Sequence, residues 1–375
     1  MDRPSFTLGI EEEYLVVDRT TRNLVRQPQP EFLTECAEAM GKDLSPEFLQ
    51  CQIEVGTGVH ETAAAAGDEL ADMRRCIARV AEAHGYAAIA ASTHPFASWR
   101  EQQHTPKDRY DALEADLGAA VRRMLICGCH VHIGIEDPDL RIDLMNQAAY
   151  FLPHLLALST SSPFWEGEDT GLSSYRLTVF DALPRTGLPD VVHSYAEYRR
   201  MVDHLIRAGC IEDATKIWWD IRPSDKFPTL EQRVTDVCSR VEDTVTIAAL
   251  FQGLLAMLWR LRSTNQRWRL YPAILINENR WRAQRYGVAG ELVDLGKATR
   301  VPFSDLVEEL IELALPEAEA LRSVPAILHT REIARGETSA QRQRATYAAA
   351  LDDGADRHEA LIAVVDGLIE EFAPV

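Results

Sequence analysis

The sequence has no surplus of positive charge. Its 39 lysines and arginines are outnumbered by 58 aspartates and glutamates, giving a net charge of -19 and a pI near 5.0. A protein that reads a phosphate backbone needs the opposite sign. A nucleotide held through metal ions remains compatible, because a bound cation reverses the local charge. There is no Walker A loop, no kinase-type glycine loop and no G-x-G-x-x-G, so P-loop and Rossmann schemes are unsupported. There is also no G-x-S-x-G elbow and no persuasive Cys–His nucleophile pair. The seven cysteines (Cys36, Cys51, Cys76, Cys127, Cys129, Cys210 and Cys238) form no C-x-x-C knuckle. An odd, scattered set without an apolar leader predicts reduced thiols in the cytoplasm and no structural zinc site. The longest apolar helical stretch, Ile247 to Leu261, is interrupted by Gln252 and Arg260. It predicts a buried helix and no membrane span. No repeat, low-complexity tract or polar linker divides the chain, so the expectation is one α+β domain over residues 1–375, mainly helical from about 272 onward.

What is present is a normal globular balance, 46% hydrophobic and 26% charged, with enough apolar residues for a sizeable core. Alternation and turn residues predict strands over Phe6–Asp18, Leu49–His60, Tyr86–Thr93, Leu125–Ile135, Lys216–Ile221 and Thr229–Cys238. Helical spacing and caps predict helices over Pro30–Met40, Glu61–His84, Arg109–Arg123, Leu140–Leu158 (amphipathic), Tyr195–Gly209 and Val241–Arg262. Between them, Ser159–Asp190 is rich in Ser, Gly and Pro, and a segment of that kind predicts a functional loop or lid.

Four of the strands carry chemistry on one side. In Glu11-Glu12-Glu13-Tyr14-Leu15-Val16-Val17, both faces beyond the triplet are apolar, so the strand is expected inside the fold. Glu11 and Glu13 share a face, about 7 Å apart at ~3.3 Å per residue, and can serve adjacent hard cations. Glu12 points away and is expected to be structural and to tolerate replacement. Gln50, Gln52 and Glu54 share a face of the next strand. His130 and His132 share one with Gly128 and Gly134, which would leave open space beside them. Glu231 and Arg233 share a face of a fourth strand. Each element has a plainer reading: a solvated strand end, a hydrogen-bonded histidine pair, a zinc pair, or an Arg that only neutralises its neighbour. Their convergence points to an oxygen-rich magnesium or manganese site with an Arg beside it, which suits metal-assisted phosphoryl transfer.

In order along the chain come G-I-E-E-E-Y-L-V-V-D, A-S-T-H-P-F, C-G-C-H-V-H-I-G, S-S-P-F-W-E-G-E-D-T-G-L-S-S-Y-R, W-W-D-I-R-P-S, P-T-L-E-Q-R-V-T-D-V and N-R-W-R-A-Q-R-Y-G. Together they resemble the glutamate–cysteine ligase type 2 family of carboxylate–amine ligases, from residue 7 to the last helix. The resemblance implies an α+β fold of the glutamine synthetase/guanido kinase-like catalytic type: a curved, mainly antiparallel sheet with helices on its convex side. It implies ATP-dependent formation of an acyl phosphate, then attack by an amine, with L-glutamate (through its γ-carboxylate) and L-cysteine or a related amine as substrates. It implies Glu11, Glu13, Glu54, His130 and Glu231 as ligands of Mg2+ or Mn2+, Arg233 near the γ-phosphate, and Arg176 on the substrate's α-carboxylate. His132, Asn279 and Arg280 on the nucleotide side, and Thr93, Trp219 and Arg222 on the substrate side, lie in matching motifs; for Asn279 and Trp281 a helix packing face is the plainer reading. A homodimer is expected too, helped by exposed-looking Trp259 and Trp268. The partners expected are thus small molecules (amino acid, amine, ATP), with no nucleic acid and no membrane. Three competing readings are a guanidino-kinase-like phosphotransferase, a metal-dependent amidohydrolase using His130 and His132, and a nucleotide-sensing dimer without turnover.

Overall fold

The strand that carries the acidic triplet, β1 (Leu8–Asp18), alternates buried and half-buried residues up to Glu13 and is buried on both faces from Tyr14 to Val17. It therefore lies in the middle of a sheet. In the computed structural model, which describes residues 2–42, 44–336 and 338–373, β1 pairs antiparallel with three strands. The sheet's other members are β2 (Ser45–Pro46), β3 (Gln52–Gly56), β4 (Tyr86–Ile89), β5 (Cys129–Gly134), β6 (Ile221–Pro223) and β7 (Thr229–Gln232). Their spatial order is β6-β7-β5-β1-β3-β2, with β4 beside the second half of β1. Every pairing in this sheet is antiparallel.

Register matters more than order. Glu11 pairs with His130, Glu13 with Glu54, and His132 with Glu231. Side chains repeat every two residues along a strand, so a slip of one residue would turn each of these groups to the other face.

Helices α1 (Ala63–Ala83), α2 (Val241–Ser263) and α3 (Arg357–Phe372) cover the opposite face. Thr62 caps α1 by accepting the Ala65 N–H, and Gly67 lets α1 lie directly on α2, since a Cβ there would come within 2.2 Å of Val245. Helix α2 is long and apolar enough to cross a membrane, yet most of it is buried inside the fold. Its interrupting Gln252 donates to the carbonyls of Phe6 (2.7 Å) and Glu61 (3.3 Å), tying the helix to the start of β1. Nearly all the buried apolar residues belong to one cluster running from Phe6 to Phe372.

Several elements differ from expectation for local reasons. The helix expected over Arg109–Arg123 is broken at Gly118, whose φ is +56°, into Asp108–Leu117 and Ala119–Arg122. The stretch expected as one amphipathic helix is Pro138–Ala148, a 3-10 turn, and Leu152–Ser159, restarting at Pro153. Nearly all of it is buried, so it has no solvent face. The 159–190 segment contains a hairpin, Phe164–Trp165 with Glu168–Asp169, whose central Glu166 and Gly167 both have positive φ, as a two-residue hairpin turn requires. It also contains the short helix Arg176–Phe180. The 216–221 stretch splits between Trp218–Trp219, which pairs with Thr186–Gly187, and β6. Beyond 272 a hairpin, Glu291–Asp294 with Thr299–Pro302, interrupts the helices. Trp259 and Trp268 are half-buried, packed on Phe6 and on Phe151 and Tyr150 respectively.

Candidate active site

The register above, with Glu47 from the connection between β2 and β3, brings together three overlapping groups of side chains that could hold a metal ion. Glu11, Glu54 and His130 form the first, Glu11, His132 and Glu231 the second, and Glu13, Glu47 and Glu54 the third. Within each group the ligand atoms lie within 4.8 Å of one another. Glu11 joins the first to the second, and Glu54 joins the first to the third. His130 Nδ1 and His132 Nε2 each sit 3.4 Å from a different oxygen of Glu11, and the Gly128 N–H donates to Glu13 Oε2 at 2.7 Å.

The two ends of this row differ electrically. Burial would raise the pKa of Glu11, but hydrogen bonds from His130 and His132 overcome it and hold the carboxylate well below its usual range. Burial likewise opposes ionisation of Glu231, and Arg233 and Arg222 overcome it. At the other end the compensation falls short: Arg176, the Gly128 N–H and Arg233 act on Glu13 without overcoming burial. Burial and the neighbouring Glu47 push Glu13 up to about 7 and Glu54 up to about 10. Burial, and then Arg233, bring His130 down to about 4, which keeps its imidazole neutral and able to act as a ligand. Among the described residues, His130 Nε2 is buried without a hydrogen-bond partner. Crowded carboxylates that repel each other, with neutral imidazoles among them, are what a hard divalent cation relieves. The donor set therefore fits Mg2+ or Mn2+ better than zinc, which rarely takes so many carboxylates.

Three arginines border the row. Arg233 Nη1 contacts Glu231 and lies 3.4 Å from His130 Nδ1. Arg222 grips Glu231 at 3.0 and 3.2 Å and uses its remaining reach on the Thr215 and Ile217 carbonyls. Arg176 is buried, and its guanidinium fills the place a side chain on Gly128 would take: a Cβ there would meet Nη2 at 2.4 Å. The space expected beside the histidines is thus occupied, at Gly128 by Arg176 and at Gly134 by Ser5 and Thr7.

The other predicted residues are committed to protein contacts. His132 Nδ1 meets Thr229 Oγ1 at 3.0 Å. Thr93 Oγ1 donates to the Phe164 carbonyl at 2.8 Å, fixing the 164–169 hairpin. Trp219 is buried against Tyr198. Asn279 clasps the Val293 backbone, its Nδ2 donating to the carbonyl at 2.8 Å and its Oδ1 accepting the N–H at 2.6 Å. Arg280 bridges Asp181 and Asp220, and the Asp220 carbonyl accepts the Arg233 N–H, so Arg280 props the strand end that carries Arg233.

Glu12 corrects an expectation. It does face away from the row, but it is fully buried and receives Arg74 (2.6 and 3.1 Å), the Tyr14 hydroxyl (2.6 Å) and the Thr244 hydroxyl (2.6 Å). It is the least replaceable of the three acids for stability. Sequence reasoning missed Glu47, which completes the third group. It lies between β2 and β3, outside any alternating stretch, so no signal in the sequence marked it.

The profile of glutamate–cysteine ligase family 2 matches residues 7–367. A protein of Rhodospirillum rubrum, named provisionally as glutamate–cysteine ligase 2, is 58% identical over 375 residues, covering 99% of this chain and 96% of its own. One of Jannaschia, with the same provisional name, is 54% identical over 367 residues, covering 98% and 97%. Among solved structures, the glutamate–cysteine ligase of Francisella tularensis in complex with AMP superposes with a TM-score of 0.66 at 13% identity, over 100% of this chain and 90% of that one. The bifunctional glutathione synthetase of Pasteurella multocida gives 0.67 at 14%, over 98% and 52%. These two likenesses establish the shared fold. A match along almost the whole sequence, with relatives above half identity, establishes descent: the chain belongs to glutamate–cysteine ligase family 2 and is a carboxylate–amine ligase.

Proposed function

We propose that this ligase uses ATP and Mg2+ (or Mn2+) to join a carboxylate to an amine through an acyl phosphate, with the γ-carboxylate of L-glutamate and L-cysteine, or a related amine, as substrates. The observation that carries this reading is the row of three ligand groups with Arg233 set against it. Glu11, Glu13, Glu47, Glu54, His130, His132 and Glu231 would hold the cations, which would supply charge neutralisation for ATP's phosphates and for the oxygens of the phosphoryl group in flight. Arg233 adds a fixed positive charge at the same end of the row, where a transferring phosphoryl group gathers negative charge. Arg222 keeps Glu231 ionised and oriented. Arg176, beside Glu13, offers a buried guanidinium to a substrate carboxylate. His132, Asn279 and Arg280 support the nucleotide side, and Thr93 and Trp219 shape the substrate side. A cytoplasmic homodimer completes the proposal. The support for a dimer is an exposed apolar pair, Ile274 and Trp281, seven residues apart on the helix Ala273–Tyr286.

The test is component dependence. ADP and phosphate release should require ATP, a divalent cation, glutamate and an amine together, and Glu54→Gln and Glu231→Gln should abolish it while the variants still fold. Steady ADP release without a carboxylate substrate would contradict the proposal, as would amide hydrolysis with no need for ATP.

A further inference from the structure

Arg176 is held unusually for a buried cation. Its guanidinium lies over the Phe180 ring and donates only long hydrogen bonds, 3.3 to 3.5 Å, to the Arg233 and Val234 carbonyls. Among the described residues its Nε is buried with no partner. Unspent donor capacity of this kind suits an anion that arrives later.

The backbone of Arg176 is far more tightly fixed. Its N–H donates to Ser162 Oγ at 3.1 Å, and Ser162 Oγ donates in turn to Asp236 Oδ2 at 2.8 Å. The same oxygen accepts the Ser161 N–H at 2.9 Å, and Oδ1 accepts the Ser174 hydroxyl at 2.9 Å. Asp236 is completely buried and bridges in antiparallel fashion to Gly128, the residue whose missing side chain makes room for Arg176. Ser162 and Ser174 also form a bridge to each other. One carboxylate thus ties both arms of the 159–176 loop to the sheet at the point where Arg176 crosses it. The serine-rich segment is anchored here, at Asp236.

We propose that Asp236 is the positioning residue of the substrate-carboxylate subsite, setting Arg176 through Ser162 and holding its guanidinium in the Gly128 notch beside Glu13. The inference rests on the reading of Arg176 as the group that binds the substrate's carboxylate. Asp236 touches no substrate. It fixes where the arginine starts, and Gly128 fixes where it ends.

The experiment is steady-state kinetics with glutamate, cysteine and ATP on Ser162→Ala, Asp236→Asn and Gly128→Ala, with Arg176→Ala as reference and thermal unfolding as a fold check. Ser162→Ala removes the link while leaving the Asp236 charge in place, so it carries the test if Asp236→Asn does not fold. The expected result is a KM for glutamate raised about tenfold or more with the KM for ATP within about twofold, because a clamp on one substrate acts on that substrate's binding. Adding Ser162→Ala to Arg176→Ala should change little further, since both act on one interaction, and Ser162→Thr, which restores a hydroxyl, should recover most of the loss. Equal rises in both KM values, a fall in kcat alone, or full additivity with Arg176→Ala would overturn the positioning role. If Arg176→Ala raises the glutamate KM and Ser162→Ala does not, the positioning role alone falls. If Arg176→Ala leaves the glutamate KM unchanged, the carboxylate-clamp reading falls and the inference with it.

Discussion

Glu11, Glu12 and Glu13 are neighbours with three different environments. Glu11 shares its two oxygens between two histidines, Glu13 crowds against Glu47 and Glu54, and Glu12 closes a buried ion pair with Arg74. Alternation along a strand made the division of faces legible. It could not show what lay across from Glu12, because Arg74 and Thr244 arrive from positions 62 and 232 residues away. Glu12→Gln would leave the Arg74 charge buried with only neutral partners, the Tyr14 hydroxyl and the Cys238 and Ser239 carbonyls. Breaking such a pair from one side costs about 3–5 kcal/mol, so urea unfolding of Glu12→Gln should show a loss of that order; a loss below about 1 kcal/mol would mean the pair is dispensable. Arg233 gives a second prediction at this scale. Its guanidinium contacts Glu231 and His130, both among the proposed cation ligands, and so would compete with a cation for them. Titration calorimetry with Mn2+ and no nucleotide should find Arg233→Met binding the ion about tenfold more tightly than the parent, while ATP binding weakens. Weaker Mn2+ binding by the variant would contradict that role.

At the scale of elements, the strands were legible wherever the pattern had a clear period, and the helix Pro30–Met40 matches the expected bounds because Pro30 and Gly41 mark its two ends. Elements were misread where a single backbone position decided the outcome: Gly118 breaking a helix, Pro153 restarting one, Glu166-Gly167 turning a hairpin inside what reads as a loop. Glu47 was invisible for a related reason, since a loop residue has no face to be read from. The 94–97 turn shows how a motif can be structural. His94 Nδ1 accepts the N–H groups of Phe96 (3.2 Å) and Ala97 (2.9 Å), and Nε2 donates to the Arg22 carbonyl (2.9 Å). Protonation would set an N–H against two N–H donors, and burial already lowers this histidine from 6.5 to about 4; burial does the same to His154. The unfolded chain therefore takes up these protons as pH falls through 6.5 while the folded chain refuses them. Stability is lost between about pH 6.5 and 4, by up to about 1.4 kcal/mol per pH unit for each histidine. Thermal unfolding of the parent and of His94→Asn, which keeps an acceptor near the Nδ1 position, should differ by this contribution, the variant losing less stability than the parent as pH falls from 6.5 to 4. An unchanged slope in the variant would remove His94 from the account.

For the whole molecule, the ordered motifs made the family and the fold class legible, because together they span the strands of the site and the segments that support them. The gathering of the site was legible only in part. Faces could be assigned strand by strand, but the antiparallel register that sets Glu11 opposite His130 and Glu13 opposite Glu54 depends on turns far away in sequence. Thr93, Asn279 and Arg280 lie in equally telling motifs, and their polar groups are spent on holding the scaffold. A motif shared along a family thus marks both the chemistry and the supports around it. In the proposed chemistry the carboxylate is activated by phosphorylation before the amine attacks. The most direct measurement is isotopic: glutamate labelled with 18O in its γ-carboxylate, supplied with cysteine, ATP and Mg2+, followed by mass analysis of the phosphate released. An acyl-phosphate route predicts one 18O carried into phosphate for each amide formed. Amide formation with unlabelled phosphate would contradict the account.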